Sequence, residues 1–253
     1  MQALLFGSIG TLVETSELQR QAFNRAFDDF SLGWHWDKPT YQDLLSTTGG
    51  QNRLRHYAHH VAEQRNQTLD EATIREIHQR KSQHFQDRLT AGITLRPGVS
   101  RLIHDALAHD VKLGFVSTTS RANIDAIAVG AHALSLEHFA VVTSSDSVNE
   151  PKPHPEAYQH ACQTLNIRPE DAVAIEDTAL SLQAARAAKI VAIATPGEYT
   201  REQDFSSAQA VFNQLGSQDE VSTVINSDLS FNQHYVDIAW LSQLLKTSQG
   251  VFA

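Results

Sequence analysis

A short apolar run at the very start of the chain, Ala3-Leu4-Leu5-Phe6, constrains the fold more than any other feature. It ends at Gly7-Ser8-Ile9-Gly10-Thr11 and reads as a buried strand feeding a tight turn. No convincing strand follows until well past residue 90. From Ser16 to about Leu89 the pattern is helical, over Glu17–Phe30, Lys38–Leu45, Arg53–Glu63 and Asp70–Leu89. After Arg96-Pro97-Gly98 helices and strands alternate. Helices are predicted over Val99–His109, Arg121–Val129, Pro155–Leu165 and Leu180–Ala188, with strands at Lys112–Val116, Val141–Thr143, Ala172–Ile175 and Ile190–Ala194. Strands separated by such helices imply βαβ units and a parallel sheet. The expected architecture is therefore an α/β doubly wound parallel sheet of Rossmann-like type with an inserted all-helical cap. Residues 1–15 and 93–253 form a discontinuous core domain in this reading, and residues 16–92 the cap. The polar stretch Ser217–Asp228 is expected to be a loop before a last helix, Val236–Lys246. No internal repeat is evident.

With 253 residues, 41% of them hydrophobic, the chain can build a core domain plus a smaller one. A formal net charge of −9 argues against nucleic acid as a partner, which would need clustered Lys and Arg. The single cysteine, Cys162, excludes an intrachain disulfide and suits a reducing compartment. No basic leader and no stretch of ~20 apolar residues is present, so a soluble cytoplasmic protein with no membrane partner is expected.

In open parallel sheets ligands bind at the carboxyl ends of the strands, which directs attention to the residues after Phe6, Val116, Thr143 and Ile175. Ser117-Thr118-Thr119-Ser120 offers hydroxyls and backbone N–H groups at a helix start, suited to an anion and equally to a simple N-cap. Lys152 stands between Pro151 and Pro153 on a stiffened turn, where it suits a phosphate, a carboxylate cluster or plain solvent. Glu176 and Asp177 leave a buried strand together. Adjacent carboxylates in a cleft repel unless a cation such as Mg²⁺ or Lys152 offsets them, though Asp177 could also cap a helix.

Taken together these motifs resemble the haloacid dehalogenase-like superfamily, in the helical-cap branch that contains β-phosphoglucomutase and the CbbY-type phosphatases. Leu4-Leu5-Phe6 followed by Gly10-Thr11-Leu12 is similar to the family's F-D-x-D-G-T-L at all but two positions. Ser117 matches the second-motif hydroxyl, Lys152 the lysine of K-P-x-P, and Glu176-Asp177 the fourth-motif acidic pair. Thr195-Pro196-Gly197-Glu198-Tyr199-Thr200 looks like the CbbY-type tail. The resemblance implies a sugar-phosphate phosphatase in which the first aspartate of motif one attacks phosphorus and the second protonates the leaving group. Those positions are Gly7 and Ile9 here, so no catalytic residue of that motif is intact. Losing a covalent nucleophile costs roughly a million-fold in rate, about 8 kcal/mol of barrier. Ser8 is adjacent, but in an extended segment it should face away from the site.

By the same resemblance Mg²⁺ would be held by the Ile9 carbonyl and Asp177, with Glu176 nearby; without a carboxylate at position 7 that binding is possible but weakened. Without metal the site is expected to be empty or bridged by Lys152 to Asp177. Phosphate binding falls to Ser117, Thr118 and Lys152, and cap recognition to Gly49, Gly50, Arg53 and Gln19. Arg53 also suits a salt-bridged helix start. Gln51 and Gln19 stand where the family usually has a lysine and a histidine. His56, His59 and His60 share a helix face but lack a carboxylate or thiolate in register, and Trp34 and Trp36 suit the packing of the first cap helix. No G-x-G-x-x-G supports a dinucleotide site. Two functions remain: a catalytically inactive homologue retained for binding a phosphorylated metabolite or a protein partner, and an active Mg²⁺-dependent hydrolase of small phosphorylated sugars that uses a non-standard nucleophile or an activated water.

Overall fold

The structure, a computed structural model, describes residues 1–7, 9–65, 69–227 and 229–248. Ser8 lies outside them, and so does the expectation for its side chain. The elements run β1 (Ala3–Phe6), α1 (Ile9–Leu12), α2 (Ser16–Asp29), α3 (Lys38–Leu44), α4 (Gly50–Arg65), α5 (Glu71–Leu89), α6 (Val99–Ala108), β2 (Lys112–Val116), α7 (Arg121–Gly130), β3 (Val141–Thr143), α8 (Glu156–Leu165), β4 (Ala172–Glu176), α9 (Ala179–Ala187), β5 (Val191–Ala194), β6 (Ala210–Phe212), β7 (Val224–Ser227) and α10 (Ile238–Thr247).

The sheet has seven strands in the order β3-β2-β1-β4-β5-β6-β7. All neighbours are parallel except β6 and β7. The sheet is thus mixed, and the stretch Ser217–Asp228, expected to be a loop, contains the antiparallel edge strand β7. That strand bonds on one side only and leaves Val224 and Ile225 exposed, so no apolar pattern marks it.

Alternation along the strands divides the core between the two sheet faces. Leu4, Phe6, Phe115, Val173, Ile175 and Ile193 pack on one face with α6, α7 and α10. Ala3, Leu5, Ala172, Ala174, Ala192 and Ala194 pack on the other with α8 and α9. The alanines keep this second face thin and let α8 and α9 approach closely. β1 lies at the centre, between β2 and β4, and the chain order of the strands reverses there. The crevice at a reversal of this kind is where such sheets take ligands.

The helices between β1 and α6 have an aromatic cluster of their own, in which Trp34 and Trp36 pack on Phe27 of α2, as expected. Asp37 and Asp70 cap α3 and α5 by accepting from Thr40 N (2.9 Å) and Thr73 N (2.7 Å). The chain enters and leaves this block side by side. Val13 and Leu95 form an antiparallel bridge, and Arg96 N donates to Leu12 O at 2.8 Å.

A third attachment joins the two regions. Tyr199, on the segment after β5, buries its ring against Tyr41 in the aromatic cluster, and its hydroxyl donates to Glu17 of α2. Lys38 pairs with Glu198 at 3.1 Å in the same place. Hydrogen bonds from Arg20, and then from Tyr199 and Gln21, lower the Glu17 carboxyl from 4.5 to about 2. A carboxyl with a depressed pKa stabilises the fold fully above its unfolded value, and that contribution is lost as the pH falls through the folded one. Glu17→Gln should therefore flatten the fall in Tm between about pH 4.5 and pH 2. Parallel thermal melts of the two proteins across that window test this, and coincident slopes would refute it.

Candidate functional site

β1, β2 and β4 bring their carboxyl ends together, and Gly7, Ser117 and Glu176-Asp177 follow from them. Gly7 is buried, and its N–H donates to the Ile175 carbonyl at 2.9 Å, extending the β1–β4 ladder by one step. Its carbonyl accepts from Lys152 Nζ. The Lys152 ammonium also pairs with Glu176 Oε1 at 2.8 Å, and Tyr158 of α8 donates its hydroxyl to the same oxygen. Lys152 is 3% exposed and Glu176 fully buried, so the pair is screened from water. Burial raises the Glu176 carboxyl above its ordinary range, with Lys152 opposing the shift. Burial, together with the Glu176 charge, pushes the Tyr158 hydroxyl well above the usual phenol range, which keeps it a donor.

This network fills the space beside Gly7. A Cβ on that residue would overlap both Glu176 Oε1 and the Tyr158 hydroxyl. The two acidic residues do not stand side by side as expected. Glu176 is the last residue of β4 and turns toward Lys152, while Asp177 lies over Gly10, where an added Cβ would overlap its Oδ2. Period-two alternation separates neighbours in this way. Lys152 consequently bridges to Glu176 and not, as expected, to Asp177. Asp177 does not cap the following helix; Thr178 does, accepting from Ser181 N at 3.2 Å.

Ser117 is buried, and its Oγ accepts from Thr119 N at 3.2 Å. The cap of α7 is Ser120, which leaves Ser117 and Thr118 at the strand end. A relay ties this loop to α5: Gln86 Nε2 donates to Asn123 Oδ1 and Asn123 Nδ2 to Thr119 Oγ1, both at 3.2 Å. Ile9 begins α1, packs its side chain on the main core, and its carbonyl accepts from Val13 N at 2.9 Å.

In the helical region Gly49 has φ +85°, and Gly50 opens α4 against His78, whose ring a Cβ there would overlap. Among the described residues Arg53 forms no salt bridge. Its Nε donates to the carbonyls of Thr47 (2.9 Å) and Leu44 (3.2 Å), which closes its own loop. Gln19 Oε1 accepts from Lys81 Nζ. His56, His59 and His60 are exposed on α4.

Four residues of this region were given no contact in the sequence reading. Tyr158 carries no local signal, and Tyr199 stood out only as part of the tail motif. Arg96 donates to the carbonyls of Gly10 (2.8 Å), Thr195 (2.6 Å) and Pro196 (2.9 Å), pinning the loop after β1 to the segment after β5. Lys81 was detectable in principle, because it interrupts the buried stripe Ile77, Phe85 and Leu89 of α5 at a spacing of four. It is 4% exposed, and its ammonium lies 4.8 Å from the Phe23 ring and 5.1 Å from that of Phe85. Burial, with Arg53 nearby, lowers it from 10.5 to about 7. A lysine depressed on folding weakens the fold below its unfolded pKa, so stability rises with pH from about 7 to about 10.5. Lys81→Met is expected to stabilise the protein by roughly 1 kcal/mol at neutral pH and to abolish that rise. Urea unfolding at two pH values measures both; an undiminished rise in the variant would show that another group causes it.

The haloacid dehalogenase-like hydrolase family model matches residues 9–195. Protein CbbY of Rhodobacter capsulatus is 38% identical over 82% of this chain and 91% of its own length, and that of Cereibacter sphaeroides 38% identical over 85% and 94%. The crystal structure of CbbY from Rhodobacter sphaeroides in complex with phosphate aligns with a TM-score of 0.77 at 36% identity, covering 85% of this chain and 94% of that one. The chain belongs to the haloacid dehalogenase-like hydrolase family, among relatives of the CbbY proteins. A β-phosphoglucomutase from Clostridium difficile shares the fold, with a TM-score of 0.75 at 15% identity.

Phosphatases of this family generally use Mg²⁺, and the donors here fit such an ion poorly. Residues 7 and 9 bear no carboxylate, the Ile9 carbonyl is engaged in α1, and Glu176 Oε1 is committed to Lys152 and Tyr158, which leaves Glu176 Oε2 and Asp177 as the carboxylate donors. Among the described residues no group of three or more His, Cys, Asp or Glu could hold a metal ion.

Proposed function

We propose that the chain is a CbbY-type homologue that binds a small phosphorylated sugar and has little or no phosphatase activity. One observation carries this reading: Lys152 and Ser117 converge on a strand end whose residue 7 has no side chain and no room for one. Phosphate is a suitable ligand for a cation, a hydroxyl and backbone N–H groups at one sheet edge. The CbbY structures in complex with phosphate and with xylulose 1,5-bisphosphate support the same class of ligand. In this reading residues 16–92 act as the cap over the core, and Gly49, Gly50, Arg53 and Gln19, with Lys81 beside Gln19, face the far end of the sugar phosphate. Ser117, Thr118 and Lys152 take the near phosphate. Gly7 and Ile9 contribute no chemistry, and Mg²⁺ binding through Asp177, Glu176 and the Ile9 carbonyl is weakened. A cytoplasmic setting suits the single cysteine, and among the described residues no helix is long and apolar enough to cross a membrane.

Thermal melts with xylulose 1,5-bisphosphate, together with a phosphate-release assay in MgCl₂, test this reading. Ligand-dependent stabilisation with background release is expected. Release that Asp177→Asn abolishes would establish the active hydrolase instead. No shift with any sugar phosphate would point to a protein partner.

A further inference from the structure

We propose that this site binds its phosphoanion without a metal ion, through the protein's own ammonium and hydrogen-bond donors. The inference rests on the reading of the sheet edge as a phosphate site and concerns which groups hold the anion there. A Mg²⁺ ion demands near-octahedral oxygen ligation and is usually held by one or two carboxylates along with the substrate's phosphate. Two carboxylates stand at this edge. Glu176 is fully buried and its Oε1 holds both Lys152 Nζ and the Tyr158 hydroxyl, which leaves only its Oε2 without a partner and offers a metal one oxygen at most. Taking Oε1 as well would part a buried cation from its counter-ion, which is costly. Asp177 lies over Gly10, and the half-buried Arg96 guanidinium donates to the Gly10 carbonyl at 2.8 Å.

Each carboxylate at this edge has a cation near it: Lys152 pairs with Glu176, and Arg96 donates to the carbonyl of Gly10, the residue over which Asp177 lies. An ammonium has three N–H donors. Lys152 spends one on the Gly7 carbonyl and one on Glu176, and the third is left for an incoming oxyanion beside Ser117. A phosphoryl group here meets a cation and hydroxyl donors directly, with Asp177 the one nearby carboxylate that opposes it.

Calorimetric titration of the full chain with inorganic phosphate and with xylulose 1,5-bisphosphate, in excess EDTA and in excess MgCl₂, decides the matter. The dissociation constants are expected to agree within about a factor of two. Tightening by Mg²⁺ of about tenfold or more would overturn metal independence while leaving the ligand assignment intact. Absence of binding under both conditions would overturn the ligand assignment itself, and this inference with it. Titration with Mn²⁺ alone, followed by electron paramagnetic resonance, should find no site tighter than about 1 mM.

Discussion

Replacing Lys152 by methionine is expected to destabilise the protein by about 3–5 kcal/mol and to remove phosphate binding. The size follows from what remains. Glu176 is fully buried, its Oε2 has no hydrogen-bond partner, and without Lys152 only the Tyr158 hydroxyl would face Oε1. A carboxylate stranded in that way pays its desolvation with little return. The Gly7 carbonyl would lose its side-chain donor in the same substitution. For a chain of this length the loss corresponds to roughly 10 °C in Tm. Lys152→Met combined with Glu176→Gln should recover a substantial part, since the double variant buries no uncompensated charge. A single-variant loss below about 1 kcal/mol, or a double variant no better than the single, would show that the pair is not the electrostatic centre of this edge.

The second large effect concerns restoration. Gly7→Asp with Ile9→Asp rebuilds the two missing carboxylates in sequence, yet phosphate release is expected to stay at background and stability to drop by about 1–3 kcal/mol. The new Cβ would enter the space of Glu176 Oε1 and the Tyr158 hydroxyl, and both groups are held there by a buried network. The Ile9 change also removes an apolar side chain that packs on the main core. Adding Tyr158→Phe removes one of the overlapping atoms and should return part of the stability. Phosphate release from xylulose 1,5-bisphosphate in MgCl₂ and melts of the single, double and triple variants measure these outcomes. Vigorous turnover by the double variant with an unchanged Tm would show that Glu176 swings aside freely.

Much of the scaffold was legible in the sequence because burial writes itself into simple patterns. β1 to β5 are short apolar runs followed by turn residues, and they emerged within a residue of their observed limits. β6, Ala210–Phe212, was missed because no helix separates it from β5, so the strand–helix alternation that marked β3 does not reach it. β7 was missed because an edge strand with exposed Val224 and Ile225 next to Asn226 and Ser227 carries no alternation. At the site, residue types were legible and pairings were not. Lys152, Glu176 and Asp177 stood out as a cluster, but which carboxylate the lysine takes depends on the parity of the strand end and on Tyr158, which lies 18 residues before Glu176 and belongs to neither motif. Arg53 shows the same limit. Its charge suggested a phosphate or a carboxylate, whereas two backbone carbonyls of its own loop hold it.

The path of the chain through residue 7 is fixed from the main chain, by its N–H on Ile175 and its carbonyl under Lys152. Residue 7 uses only main-chain atoms in both bonds, so a substitution to glycine there leaves the scaffold standing. Once neighbouring groups settle into the vacated volume, the reverse substitution meets an occupied space. Such a position works as a ratchet: one mutation passes through it easily in one direction, and a return requires several coordinated changes.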